Sequence, residues 1–288
     1  AAAAMMMRTP ALAQEGAVRP PVCVFSKHLQ HLDYEQLAST CKALGLDGVD
    51  LTVREGGHVL PGNVATDLPR AVDTIRSQGL DVPMVSTRLV SGTNPEARPI
   101  LDAASKLGIR YFRIGGQQYT KDASPAGQLD GFVAEVQSLI ALAEEFGMIA
   151  GYHNHSGFDY VGAPLWDLHR MIEAVDSEHF GSNFDVGHAT VEGGLGAWEI
   201  NARLLAPYVK MMSVKDFVWD NGKMRWGPLG EGAVNLVEFF RIFRGAGFAG
   251  PVSLHFEYKT ASEDALLEAI GKANGTVRRV MQEAGYPA

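Results

Sequence analysis

An eightfold alternation of short apolar runs with longer amphipathic segments predicts a single-domain α/β fold, the (β/α)8 TIM barrel. Three observations carry this expectation. Runs rich in β-branched and aromatic residues recur between stretches whose apolar positions repeat at helical spacing. Several of those stretches run into glycine just before the next apolar run, and glycine supplies the left-handed conformation that follows a last helical turn. The four late strand-like runs each end in histidine, carboxylate or lysine, which suits a fold whose strands deliver chemistry from their C-terminal ends.

In chain order, a first strand is predicted over residues 22–26 and a first helix over 33–44, closing at Gly45. A second strand over 48–52 leads to a helix over 65–78 and Gly79. The third unit pairs a strand over 82–87 with a helix over 96–107 and Gly108. The fourth pairs 111–115 with a long helix over 128–146, ended by Gly147. Strands over 148–153, 181–185 and 209–215 then precede helices over 165–175, 198–206 and 236–245, the last running into Gly245-Ala246-Gly247. The eighth strand, 252–257, is followed by a terminal helix over 263–283. An open doubly wound sheet is the competing arrangement. It usually carries a glycine-rich phosphate turn after an early strand, and neither G-x-G-x-x-G nor G-x-x-x-x-G-K-[ST] occurs here.

The bulk numbers bound the function classes. A chain of 288 residues accommodates one such barrel, which needs about 250. A net charge of −8 with no basic cluster beyond Arg278-Arg279 argues against a nucleic-acid partner. No apolar stretch approaches the roughly 20 residues of a membrane span. Cys23 and Cys41 fit buried thiols in the first strand and first helix rather than a disulfide framework. Residues 1–17 read as a leader outside the fold: Ala11-Leu12-Ala13 resembles a signal-peptidase step but no basic region precedes it. Cytoplasmic and exported locations both stay open.

The chemistry-bearing residues concentrate after the later strands. His153 and His155 are two apart, so on an extended chain both side chains point the same way; a hydrogen-bonded loop pair is the bland alternative. Asp185 ends an apolar run, costly for a carboxylate without a cation or metal, unless it merely caps the next helix. His188 follows after Gly187, read as permitting a tight turn. Glu257 ends another apolar run and is expected to face the barrel mouth. Lys215 is read as a substrate anchor or an acid/base with Asp216 orienting it, an ordinary surface ion pair being the alternative. Lys27, His28, Glu55, His58, Arg88 and Arg113 lie after the first four strands, and Arg113, between Phe112 and Ile114, would be costly to bury unpartnered. Histidines and carboxylates without cysteine favour Mn2+, Zn2+, Co2+ or Fe2+ over Ca2+.

On Tyr152-His153-Asn154-His155, Asp185-Val186-Gly187-His188, Val214-Lys215-Asp216 and the strand-ending Glu257, the chain resembles the xylose-isomerase-like superfamily. This sugar phosphate isomerase/epimerase group includes D-tagatose 3-epimerase, inosose dehydratase and the endonuclease IV class. The resemblance covers nearly all of the chain after the leader. It implies a metal shell with one residue from each of the last four strands, at positions that match His153, Asp185, Ser213 and Glu257. Two departures follow. The epimerases usually have Glu where this chain has His153, and the usual His of a His-x-Lys-Asp segment is Ser213, a poor ligand. His155, His188 or water is then expected to complete the shell.

The resemblance implies a divalent ion, Mn2+ first, with His153, Asp185, Glu257 and His155 as ligands. Glu257 would act as base, assisted by Lys215, with His153 metal-bound or standing in for a second base. Substrate oxygens would fall to His188, His155, Lys27, His58, Arg113 and Asp216. The implied activity is isomerisation or epimerisation of a small sugar or keto-sugar by proton abstraction next to a carbonyl. A lyase or dehydratase acting on a keto-sugar, 3-keto-glycoside or keto-inositol is the runner-up, and a carbohydrate-binding barrel without turnover is the third reading. Small carbohydrates are the expected partners, and barrels of the group are often homo-oligomers.

Overall fold

The computed structural model describes residues 18–288; the leader assigned to residues 1–17 lies outside them. Eight parallel strands close a barrel. They are β1 (Val22–Phe25), β2 (Gly48–Thr52), β3 (Asp81–Ser86), β4 (Tyr111–Arg113), β5 (Ile149–His153), β6 (Phe180–Asp185), β7 (Val209–Val214) and, after a hairpin of β8 (Asp216–Asp220) and β9 (Lys223–Gly227), β10 (Val252–Leu254). β1 pairs with β10 (Val22 beside Val252) and with β2, which closes the ring. Outside it run α1 (Tyr34–Ala43), α2 (Val64–Ser77), α3 (Ala97–Lys106), α4 (Pro125–Glu145), α5 (Trp166–Val175), α6 (Val186–Glu192), α7 (Ala197–Leu205), α8 (Leu236–Gly245) and α9 (Glu263–Glu283).

Each predicted strand and helix has its counterpart, shifted by a residue or a few at the ends. The strands are largely buried on both faces because helices cover the outside and packed side chains, among them Asp50, Ser86, Asn183 and Ser253, fill the inside. The glycines expected after α1 to α4 and α8 adopt positive φ, as at Gly45 (68°) and Gly147 (64°), where a Cβ would be strained. Both cysteines are free and buried. Among the described residues no helix is long and apolar enough to cross a membrane.

Two elements escaped the sequence reading. α6 starts immediately after β6, and its first five residues are buried, so it lacks the polar face that marks an amphipathic helix. The β8–β9 hairpin projects from the mouth end of β7. Its turn, Asn221-Gly222, has positive φ at both residues (50° and 75°), which is the two-residue turn that Asn-Gly favours between strands. That dipeptide was the available signal.

Candidate metal and acid/base site

The C-terminal ends of β5, β6, β7 and β10 converge on one polar cluster. His153 is the last residue of β5 and Asp185 the last of β6, both buried. Lys215 lies one residue past β7, and His255 and Glu257 lie just past β10. Asp185 does two things at once. One oxygen, Oδ1, caps α6 by accepting the His188 amide at 2.8 Å. The other, Oδ2, stands 3.5 Å from His153 Nε2 and 3.3 Å from Lys215 Nζ.

Lys215 is the hub of the mouth. Its Nζ donates to Glu257 Oε1 at 2.5 Å and to His188 Nε2 at 2.6 Å, with only 2% of its side chain exposed. His188 therefore accepts at Nε2 and donates from Nδ1 to Ser156 Oγ at 2.8 Å. Trp226 of β9 covers Lys215, its ring centre 4.5 Å from Nζ. Gly187 matters for room rather than turn geometry: a Cβ there would lie 2.6 Å from Lys215 Cγ.

Among the described residues two sets of ligand atoms could hold a metal, each with all its atoms within 4.8 Å of one another: His153, Asp185 and His255, or His153, His155 and His188. The first set fits a divalent ion better. His255 Nε2 is buried and has no hydrogen-bond partner, whereas both ring nitrogens of His188 are already engaged. Burial, reinforced by the Arg113 charge, holds His153 and His255 well below the usual histidine range, so both rings are neutral and offer lone pairs. Burial also raises Asp185 to about 6, against the pull of Lys215, and a cation there would return it to the charged form. Ser213 Oγ lies 3.4 Å from His153 Nδ1 and donates to Asn183 Oδ1 at 3.0 Å. Such a contact would hold the ring in place beside a bound ion.

The predicted residues sort as follows. His153, His155, Asp185, His188, Lys215 and Glu257 are brought together. Glu257 falls in neither ligand set, because the strand ends at Leu254 and the chain carries it outward to Lys215. His155 belongs only to the second set and stacks on Tyr160 at 5.2 Å. Arg113 lies against Phe25, 5.5 Å from the ring centre, and burial lowers it to about 10. Lys27 is exposed on the turn after β1.

Two of the expected substrate ligands are engaged by other groups of the protein. The buried carboxylate of Asp216 accepts the amides of Phe217, Gly230, Gly232 and Val234, pinning the return of the hairpin that carries Trp226. His58 Nδ1 lies 3.1 Å from Ser26 Oγ and 3.3 Å from Thr52 Oγ1. His255 is the candidate ligand that the sequence reading missed. The signal was its place two residues before Glu257 at the end of an apolar run.

His28 supplies a pH-dependent brace beside the site. Its Nε2 accepts the amide of Phe256 at 3.0 Å, which requires the neutral ring, and burial followed by the nearby Lys27 charge lowers it to about 4. Unfolded, the ring titrates near 6.5. Between these values the unfolded chain binds the extra proton, so stability is lost as pH falls from about 6.5 towards 4. The loss expected from this group is about 3 kcal/mol. His28→Gln, whose amide oxygen can accept the same N–H, should flatten that part of a denaturation-versus-pH curve; an unchanged slope would remove His28 from the account.

Solved structures with the same architecture cover nearly the whole chain. A xylose isomerase-like TIM barrel protein from Mycobacterium smegmatis, in complex with magnesium, is 19% identical with a TM-score of 0.71, covering 92% of this chain and 97% of that one. D-psicose 3-epimerase from Clostridium cellulolyticum H10, with D-tagatose, is 15% identical with a TM-score of 0.72, covering 91% and 99%. The 3-keto-D-glucoside 4-epimerase of E. coli is 14% identical with a TM-score of 0.69, covering 91% and 100%. Among curated sequences, an uncharacterized protein of Methanocaldococcus jannaschii, MJ1311, is 23% identical over 128 residues. That match takes in 44% of this chain and 43% of its relative's length. At these identities the solved structures speak for the fold, and the family is carried by a profile match: residues 38–274 fit the family described as xylose isomerase-like TIM barrel, to which this chain belongs.

Proposed function

We propose that the protein is a divalent-metal-dependent isomerase or epimerase of a small sugar or keto-sugar, acting by proton transfer next to a carbonyl. The observation that carries this reading is the adjacency of two kinds of group. A set of two neutral imidazoles and a carboxylate, His153, His255 and Asp185, sits beside an ion pair of Lys215 with Glu257. The bound ion would polarise a substrate carbonyl and stabilise charge developing on its oxygen. Nitrogen donors and a single carboxylate favour Mn2+, Fe2+, Co2+ or Zn2+ over Mg2+, which prefers an all-oxygen shell.

The protein's own residues handle the proton. Burial raises Glu257, but the Lys215 charge and hydrogen bond outweigh it and hold the carboxylate below its usual range, ionised at neutral pH. With 38% of its side chain exposed, Glu257 faces the open mouth and can accept a proton from a carbon beside the carbonyl. Lys215 Nζ, shared among Glu257, His188 and Asp185, can donate to the adjacent substrate oxygen. His188 is fixed by Ser156 and Lys215 and limits how that ammonium moves.

Elimination from a keto-sugar or keto-cyclitol is the second reading, favoured by one feature: Glu257 is the cluster's only half-exposed carboxylate, Asp185 being enclosed. One base serves elimination, whereas inversion at carbon needs a proton donor on the opposite face. Incubation of the Mn2+-loaded protein in D2O with a panel of ketoses and 3-keto-glycosides separates the cases. Deuterium beside the carbonyl with mass otherwise conserved is expected. Enone absorbance would move the assignment to the lyase, and no exchange with any member would sink both.

A further inference from the structure

Two guanidinium groups, Arg54 and Arg113, share one aromatic ring on one arc of the mouth, and the exposed Arg88 follows the strand between theirs. Arg54 follows β2, Arg88 follows β3 and Arg113 ends β4, three strands paired side by side. Arg54 and Arg113 both lie against Phe25, their Cζ atoms 5.2 and 5.5 Å from the ring centre. His255 stacks on the same ring at 4.7 Å with its plane tilted by 15°, so this arc is one aromatic ring away from the candidate metal ligands. Among the described residues none of the three guanidiniums has a hydrogen bond or a carboxylate within ion-pair distance. The buried acid nearest in charge, Asp50, spends its oxygens on Ser86 and Ser253, each at 2.8 Å.

The arrangement is costly as it stands. Burial, and then the Arg88 charge, lowers Arg54, while burial lowers Arg113, with Arg54 contributing. In a chain of net charge −8, two partly buried guanidiniums without a hydrogen-bonded acid, with the exposed Arg88 charge beside them, suit an anion from outside. Guanidinium forks suit carboxylate and phosphate oxygens above all. We propose that Arg54, Arg88 and Arg113 form an oxyanion subsite that grips a carboxylate or phosphate carried by the sugar substrate. The proposal rests on the reading that a sugar occupies this mouth, and narrows it to an anionic sugar with its charged end towards β2–β4 and its reacting carbon towards Glu257.

Calorimetric titration of the metal-loaded full-length protein with D-glucuronate, D-glucose 6-phosphate, D-glucose and inorganic phosphate tests this. An anionic sugar should bind at least about tenfold tighter than D-glucose, and the Arg54→Ala/Arg88→Ala double variant should lose at least about tenfold of that affinity. Its metal content and melting temperature should stay unchanged. The glucuronate and phosphate arms say which oxyanion is taken. Equal affinity for D-glucose, or anion binding indifferent to the double variant, would overturn the subsite while leaving a sugar reading intact. Arginine-dependent binding of inorganic phosphate with no sugar bound would uphold the oxyanion contacts and overturn the sugar reading.

Discussion

Glu257→Gln should abolish most turnover, lowering kcat about 10²- to 10⁴-fold, the usual contribution of a positioned general base. The expectation follows from geometry. Glu257 is the one carboxylate of the cluster that reaches the open mouth, and Lys215 holds it in the ionised form. Glutamine keeps an oxygen that can accept from Lys215 Nζ, so the hub and the covering Trp226 should stay in place. Substrate affinity should therefore change little, and the defect should appear in kcat rather than KM. The same variant should lose deuterium exchange at the carbon beside the carbonyl. Activity within tenfold of the parent would show that another group takes the proton, and Lys215 would be the first to examine.

His255→Phe should strip the protein of its metal, with affinity falling by more than about 100-fold, since even outer residues around a metal shell are worth 10–100-fold. Phenylalanine preserves the stack on Phe25 but removes the Nε2 that has no partner inside the protein. His155→Phe is the matched control. It removes a member of the second ligand set only, and should leave metal content unchanged. Metal analysis of the purified variants decides between the two sets. A second readout is thermal: the parent should gain about 2.7 kcal/mol at metal concentrations 100 times Kd, lose it on chelation, and His255→Phe should show neither effect. Retention of metal by His255→Phe with loss in His155→Phe would transfer the site to His153, His155 and His188.

Much of this could be read along the chain. Periodicity placed all eight barrel strands, because a strand buried on both faces must be a short, nearly continuous apolar run. Glycines after five helices marked where one unit ends, because a left-handed residue there tolerates no Cβ without strain. His153, Asp185, Lys215 and Glu257 stood out because ionisable groups at the ends of such runs are too costly to sit there without partners.

Partnership itself was another matter. His255 and Glu257 are two residues apart, yet one ring turns in towards His153 and Asp185 while the carboxylate reaches Lys215. Asp216 looked like chemistry and proved to be an anchor for four amides. Arg113 drew notice in the sequence as a cation costly to bury, but its neighbourhood with Arg54 and Arg88 came only when closure of the barrel set β2, β3 and β4 side by side. The amino-acid order alone thus determined the barrel and which strand ends carry reactive groups, since local period and burial cost are properties of short segments. Only the folded chain decided which groups come within reach of a common cation, which share a hydrogen bond and which are left repelling one another, because those energies depend on distances of a few ångströms between residues far apart in the chain.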